Sequence, residues 1–305
     1  MKKVWIQTRN NDTGKARFCR MLSHELKSHS YICSFDEHKA DIVLGVSKFK
    51  KIVRGAKHVL RVNGVNILDN KESRWRNAKI AKSIYKADAV IWQSKFSKRF
   101  GYKLLAKPSC KDYVIHNGSI PDIDLPEYGS RYKKYVVVVG KWSKKKHLIH
   151  KRWDETLEII RTYPNKKVGF LLAGICEHEI PDLQNMEYLG YLEEKQLKTI
   201  VADAHCMLNL SCYDACPNAV VDARIYGVPV ICNSGDGTEE IATTVINTGR
   251  PRPKYISKFQ FRKFDIKPFH NAIDKDISQW KRIFDPKIHI EIVAKKYAEV
   301  FDCLK

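Results

Sequence analysis

The chain has 305 residues, 44% hydrophobic and 29% charged, with 55 Lys and Arg against 34 Asp and Glu, a formal charge of +21. That length can bury the cores of two α/β domains. No run of ~18 apolar residues, internal repeat or low-complexity tract is present, which excludes a membrane-spanning helix and a repeat array. Nine cysteines, an odd number scattered through the chain, argue for reduced thiols in a cytoplasmic protein and against a disulfide framework.

In chain order, Lys3 to Gln7 reads as a first strand, so Met1 begins a strand and not a signal peptide. Asn10 to Lys15, with Gly14, is the loop into an amphipathic helix ending near Lys27. Asp41 to Val46, His58 to Val62 and Ala87 to Gln93 read as further short strands, with a helix carrying Lys71 to Lys82 between the last two. Ile120 to Ser130, rich in Pro, Asp and Gly, reads as a linker. Asp122 and Asp124 within it are a polar linker pair, and no required metal is expected. Tyr135 to Gly140 is a buried strand, then comes the loop Lys141 to His147 and a helix to about Tyr163. Pro286 to Leu304 reads as the last helix.

The segment from Leu210 to Ile241 is the most informative. It sets Asp214 and Asp222 eight residues apart, Asp222 on a helix whose first turn holds Pro217 and Asn218. Gly227 ends that helix, Val228 to Cys232 is a short apolar parallel strand, and Gly235 and Gly237 let backbone approach a ligand. Carboxylates accept sugar hydroxyls and helix N-termini receive phosphates, so both carboxylates suit a nucleotide-sugar pocket at the strands' C-terminal ends.

This ordered set closely resembles the C-terminal signature of family 4 glycosyltransferases of the GT-B fold. There, two Glu stand eight apart, the second followed by Ala, Gly-x-Pro-Val and Gly-Gly-x-x-Glu. Ala223, Gly227, Pro229, Val230, Gly237 and Glu240 match; both Glu positions are Asp here, and the first Gly of the final pair is Asp236. Gly140 and Lys141 stand where the family has Gly-Arg, and Lys146 where it has a Lys six residues after the Gly. Lys141 keeps the charge but loses the bidentate fork. Looser likenesses in the first half extend the resemblance over nearly the whole chain.

The resemblance implies an α/β chain with two Rossmann-like domains facing a central cleft. Residues 1–125 would be the acceptor-binding domain, 126–285 the nucleotide-sugar domain, and 286–305 a helix packing back toward the first. It also implies transfer of a sugar, with retention, from a nucleoside diphosphate donor, a UDP-sugar above all, without a cofactor. Lys141 and Lys146 would neutralise the leaving diphosphate. Asp214 would hold the transferred sugar and Asp222 the ribose. Gly14, Gly140, Asn218, Gly237, Thr238 and Glu240 would complete the donor cradle, with backbone amides near Gly14 and Gly237.

Residues 1–120 carry 26 Lys and Arg against 9 Asp and Glu, whereas residues 121–305 carry 29 against 25. The first half is thus +17, more than a donor site needs, which suggests an anionic acceptor. Candidate contacts are Lys15, Lys48, Lys50, Lys51 and Arg54, then Arg74, Trp75, Arg76, Lys79 and neighbouring lysines on the helix. A Trp among cations suits nucleic acid. The resemblance, which takes in bacteriophage enzymes of this fold that glycosylate hydroxymethylated pyrimidines in DNA, implies such DNA as the acceptor. An envelope saccharide or lipid reached at an anionic membrane surface is the alternative. A catalytically silent sugar-nucleotide or nucleic-acid binding module is the third, suggested by the two Glu-to-Asp changes.

Overall fold

A computed structural model describes residues 1–8, 13–36, 39–144, 149–258, 264–279 and 281–304. The chain divides into two units: Met1–Ile120 with Arg252–Ser257 and Pro286–Lys305, and Pro121–Pro251 with Lys258–Asp285. Each is built on a six-stranded, wholly parallel sheet, in agreement with the two Rossmann-like halves implied by the resemblance.

The first unit runs β1 (Lys2–Gln7), α1 (Gly14–Glu25), β2 (Tyr31–Ser34), β3 (Ile42–Val46), β4 (Lys57–Val62), α2 (Lys71–Ile84), β5 (Ala89–Trp92), α3 (Lys95–Leu104) and β6 (Lys111–Val114). Its strand order is β2-β1-β3-β4-β5-β6. The edge strand β2 has no counterpart in the sequence reading, because only Tyr31 of its four residues is buried and no apolar alternation marks it. The central strands are buried on both faces, as parallel strands must be. Val59 and Ile91 face Phe18 and Leu22 of α1, whereas Leu60, Val90 and Trp92 face Ile80 and Ile84 of α2.

The second unit contains β7 (Lys134–Trp142), α4 (Trp153–Thr162), β8 (Val168–Cys176), β9 (Met186–Gly190), α5 (Glu194–Asp203), β10 (Cys206–Asn209), α6 (Asn218–Ile225), β11 (Val230–Asn233), β12 (Thr244–Ile246) and α7 (Lys267–Gln279). Its order is β12-β11-β10-β7-β8-β9. Val136, Val138, Phe170 and Leu172 pack with Ile159 and Ile160 of α4 and Phe269 and Ile273 of α7. The last helix, α8 (Ile290–Asp302), belongs to the first unit, where Tyr297 and Phe301 join the core beside Phe18 and Tyr31. Arg252–Ser257 joins that unit too: Ile256 exchanges backbone hydrogen bonds with Ile67 and Asp69, and Tyr255 accepts from Asn77 at 2.9 Å.

In each sheet the strand order reverses once, between β1 and β3 in the first unit and between β7 and β10 in the second. Loops diverge at such a point beyond the C-terminal strand ends and leave a crevice there, where open α/β sheets bind ligands.

Candidate functional site

At the switch point of the second unit, β7 carries Gly140 and Lys141 just before its last residue, Trp142, and β10 leads into the loop that carries Asp214. Lys141 is exposed; Lys146 lies outside the described residues. Among the described residues the cation that meets Asp214 is Lys151, at 2.9 Å, with both side chains about one-fifth to one-quarter exposed (19% and 24%). Lys151 closes a short 3-10 turn, Ile149–Lys151, and Arg152 follows in the left-handed conformation, φ 54 and ψ 59, before α4 starts at Trp153. Arg152 is held there by Glu155 at 3.2 Å and by the Phe264 ring 4.6 Å away. The sequence reading counted forward from Gly140 and so missed Lys151. Counting back from Asp154 and Glu155, acidic residues of the kind that mark a helix's first turn, finds it.

Asp214 is tied down by more than Lys151. Its backbone N–H donates to Asp236 Oδ2 at 3.1 Å and its carbonyl accepts from Gly237 N at 2.8 Å. Asp236 Oδ1 accepts from Thr238 N at 2.8 Å, capping the 3-10 turn Gly237–Glu240. The Gly237 and Thr238 amides that the sequence reading offered to the donor are therefore already engaged inside the loop. Asp236, where the family has Gly, is the residue that binds this loop to Asp214. Thr238 Oγ1 is buried with no hydrogen-bond partner among the described residues. Asp222 is buried on α6 at 4% exposure, one turn inside the helix that Asn218 begins, and Gly227 (φ 73) ends it. Glu240 is half-buried in the 3-10 turn.

The electrostatics of this cluster are uneven. Burial, and then the charge of Asp214, pushes the Asp236 carboxyl up to about 7. Lys151, then His150, holds the Asp214 carboxyl below its usual range despite burial. Burial, and then Lys151, pushes His150 well below its usual 6.5. From about pH 4 to 7 the folded chain keeps a proton on Asp236 that the unfolded chain has released, so Asp236 makes stability fall as pH rises. Over most of that window, from about 4 to 6.5, the unfolded chain protonates His150 while the folded chain does not, so His150 makes stability rise with pH. The two offset each other. Asp236→Gly is expected to expose the rise and His150→Gln the fall, read as the melting temperature of each variant minus that of the parent across the window. Curves parallel to the parent for both variants would refute this assignment.

At the switch point of the first unit lies a cavity of about 690 Å³. It brings together Lys15, Lys48, Lys50, Trp75, Arg76 and Lys79, and no described lining residue is acidic. Gln7, buried at the end of β1, positions one wall: its carboxamide donates to Lys51 O and accepts from Lys50 N, both at 2.7 Å. Asn77 on α2 positions another by clamping Asn66. Lys79 Nζ sits 3.3 Å from the centroid of the Trp75 ring, which is 58% exposed. Burial, then Arg61, then Arg76, lowers the Lys15 pKa.

Lys51 is not among the lining residues, and two more candidates lie apart from this group. Arg74 pairs with Asp69 at 2.8 Å and stacks on Tyr255 at 4.5 Å, and Arg54 is exposed on the turn before β4. Neither lines the cavity. Gly14 is the first residue of α1, whose cap is Thr13. All nine cysteines are free thiols. Among the described residues no group of three His, Cys, Asp or Glu could hold a metal ion, and no helix is long and apolar enough to cross a membrane.

No family model matches the chain. A segment of 62 residues is 37% identical to the product of a viral reading frame, ORF31 (isolate Australia/Victoria), which carries a provisional glycosyltransferase name; it covers 20% of this chain and 19% of that one. Another of 109 residues is 26% identical to an uncharacterized 41.2 kDa protein in the cps region of Klebsiella pneumoniae, covering 35% and 29%. The matches thus span less than a third of either relative. Among solved structures, Anabaena HepE in complex with UDP and glucose superposes with a TM-score of 0.68 at 12% identity, covering 99% of this chain and 100% of that one. Sucrose-phosphate synthase from Thermosynechococcus elongatus gives 0.68 at 12%, covering 100% and 99%. WaaG, a glycosyltransferase involved in lipopolysaccharide biosynthesis, gives 0.59 at 12%, covering 98% and 95%.

Proposed function

We propose that this chain, which has the GT-B fold of those structures, transfers a sugar from a nucleoside diphosphate donor to a hydroxyl on an anionic acceptor, with retention. The observation that carries this reading is chemical: Asp214, Asp222 and the cations Lys141 and Lys151 belong to the switch point of one sheet, and a basic cavity with no acidic residue among its described lining to that of the other. Asp222 accepts ribose hydroxyls, Asp214 orients the transferred sugar, and Lys151 with Lys141 neutralises the charge that grows on the departing diphosphate. Lys146 stays a candidate for the same work. The UDP in the HepE structure supports UDP-sugars as first donors to try.

Five cations of the first unit, Lys15, Lys48, Lys50, Arg76 and Lys79, line one concave site, and Arg74 is drawn off to Asp69. This favours a compact anionic acceptor such as an envelope saccharide or lipid headgroup, and the relative from the cps region points the same way. A hydroxymethylated pyrimidine in DNA is the second reading, supported by Trp75 among the cations and by the viral relative. Such a base would have to leave the stack to reach the cavity.

Donor binding tests the first half of the proposal. Asp222→Ala leaves two ribose hydroxyls without their acceptor, so calorimetry with UDP-glucose is expected to show a loss of about 1–3 kcal/mol. Unchanged affinity across a panel of nucleotide sugars would remove Asp222 from the site. The acceptor is read by incubating the chain and labelled donor with hydroxymethylated DNA or with envelope glycolipid and weighing the products. Sugar on the DNA selects the second reading, and sugar on the glycolipid the first.

A further inference from the structure

The inner wall of the cavity in the first unit has an unfinished hydrogen bond. Asn63 lines it, and its Oδ1 accepts from the Arg61 guanidinium, which turns Nδ2 the other way. That Nδ2 is buried without a hydrogen-bond partner among the described residues. Buried amide donors are rarely left so, and this one lies behind the wall, beside the buried Arg61 guanidinium.

Behind Asn63, Arg61 is 1% exposed. Among the described residues its partners are the Asn63 and Asn117 carboxamide oxygens and the face of Phe18, 4.3 Å from the guanidinium carbon. None of them carries a charge. A buried cation with only neutral partners is costly, and an anion in the adjoining cavity would offset that cost across a medium that screens poorly. Lys15, Lys48, Lys50 and Lys79 add four lining cations, none paired with a carboxylate among the described residues. Arg76 differs, because it shares Glu72 one turn away.

We propose that this cavity is a subsite for a terminal phosphate on the acceptor, a phosphomonoester or diphosphate end group, with Lys15 as its inner contact and the Arg61–Asn63 pair behind the wall. The proposal rests on the reading of the first unit as the acceptor half. A monoester carries about −1.5 to −2 at pH 7 and three acceptor oxygens, which suits several cations converging from different walls. A backbone phosphodiester carries one charge and continues in two directions, and the concave wall suits it less.

The test is calorimetry on the full chain with sn-glycerol 3-phosphate and, separately, with dimethyl phosphate. The monoester is expected to bind about tenfold tighter or better. Asn63→Asp keeps an oxygen for Arg61 but puts a second one where Nδ2 was, and should weaken monoester binding by about tenfold or more. Lys79→Gln, a substitution at the wall that leaves Arg61 and Asn63 in place, should weaken it by about threefold, whereas Lys144→Gln in the second unit should not change it. Vesicles of phosphatidylcholine with and without phosphatidic acid separate the sources: sedimentation with the phosphatidic acid vesicles assigns a lipid-borne phosphate, and glycerol phosphate binding without it a soluble one. Equal affinity for monoester and diester, or monoester binding that neither Asn63→Asp nor Lys79→Gln alters, would overturn the proposal. A failure to bind any nucleotide sugar would strike the donor reading alone, since Asn63 reports only on the first unit.

Discussion

Lys151→Ala is expected to lower the rate of sugar transfer at saturating donor by about 10²–10³-fold, the loss of roughly 3–4 kcal/mol that follows removal of a charge stabiliser from a preorganised site. The cation is partly buried, fixed between a 3-10 turn and α4, and already in contact with Asp214, so little reorganisation is left for the moment when the diphosphate departs. Lys144→Ala should stay within about threefold of the parent, because that side chain is exposed. Asp214 loses its ion pair in the first variant, so a thermal melt must accompany the rates. If Lys151→Ala turned over normally and Lys146→Ala carried the loss, the role would return to Lys146, where the spacing alone had put it.

The second large effect is on stability. Gly174, on β8 opposite Gly140 of β7, has φ 129, and a Cβ there would overlap the Gly140 carbonyl oxygen. The obstacle is backbone, which cannot rotate away, and the conformation is one that side chains rarely adopt. Gly174→Ala is therefore expected to cost about 3–5 kcal/mol and lower the melting temperature of the second unit by roughly 10 °C. A shift of only a degree or two would mean that the two strands can part at this point. Because Lys141 follows Gly140, any such parting would also move the donor side of the site.

Much of the architecture was legible from residue order. The buried strand Tyr135 to Gly140, the helix that Gly227 ends and the strand after it are local patterns of period and punctuation, and they recur at those places as β7, α6 and β11. The edge strand β2 was not legible, since a half-exposed strand held mainly by its neighbour leaves no periodic mark. Nor was Asp236, which looked like a departure from a Gly-Gly pair. Its two carboxylate oxygens take amides at positions 214 and 238, a reach across the chain that no local pattern encodes.

Charge divides in the same way. The sequence by itself determined that the excess of cations lies in residues 1–120 and that two carboxylates stand eight apart ahead of a Gly-rich loop, because composition and spacing are properties of the chain order. Only the tertiary structure decided which cations act together. It sorted Lys15, Lys48, Lys50 and Lys79 into one cavity while sending Arg74 to Asp69, buried Arg61 among neutral amides, and chose Lys151 as the partner of Asp214. The physical reason is that a parallel sheet gathers loops from distant parts of the chain at its switch point. A side chain's partners there depend on strand order and loop path, which the spacing of residues along the chain does not contain.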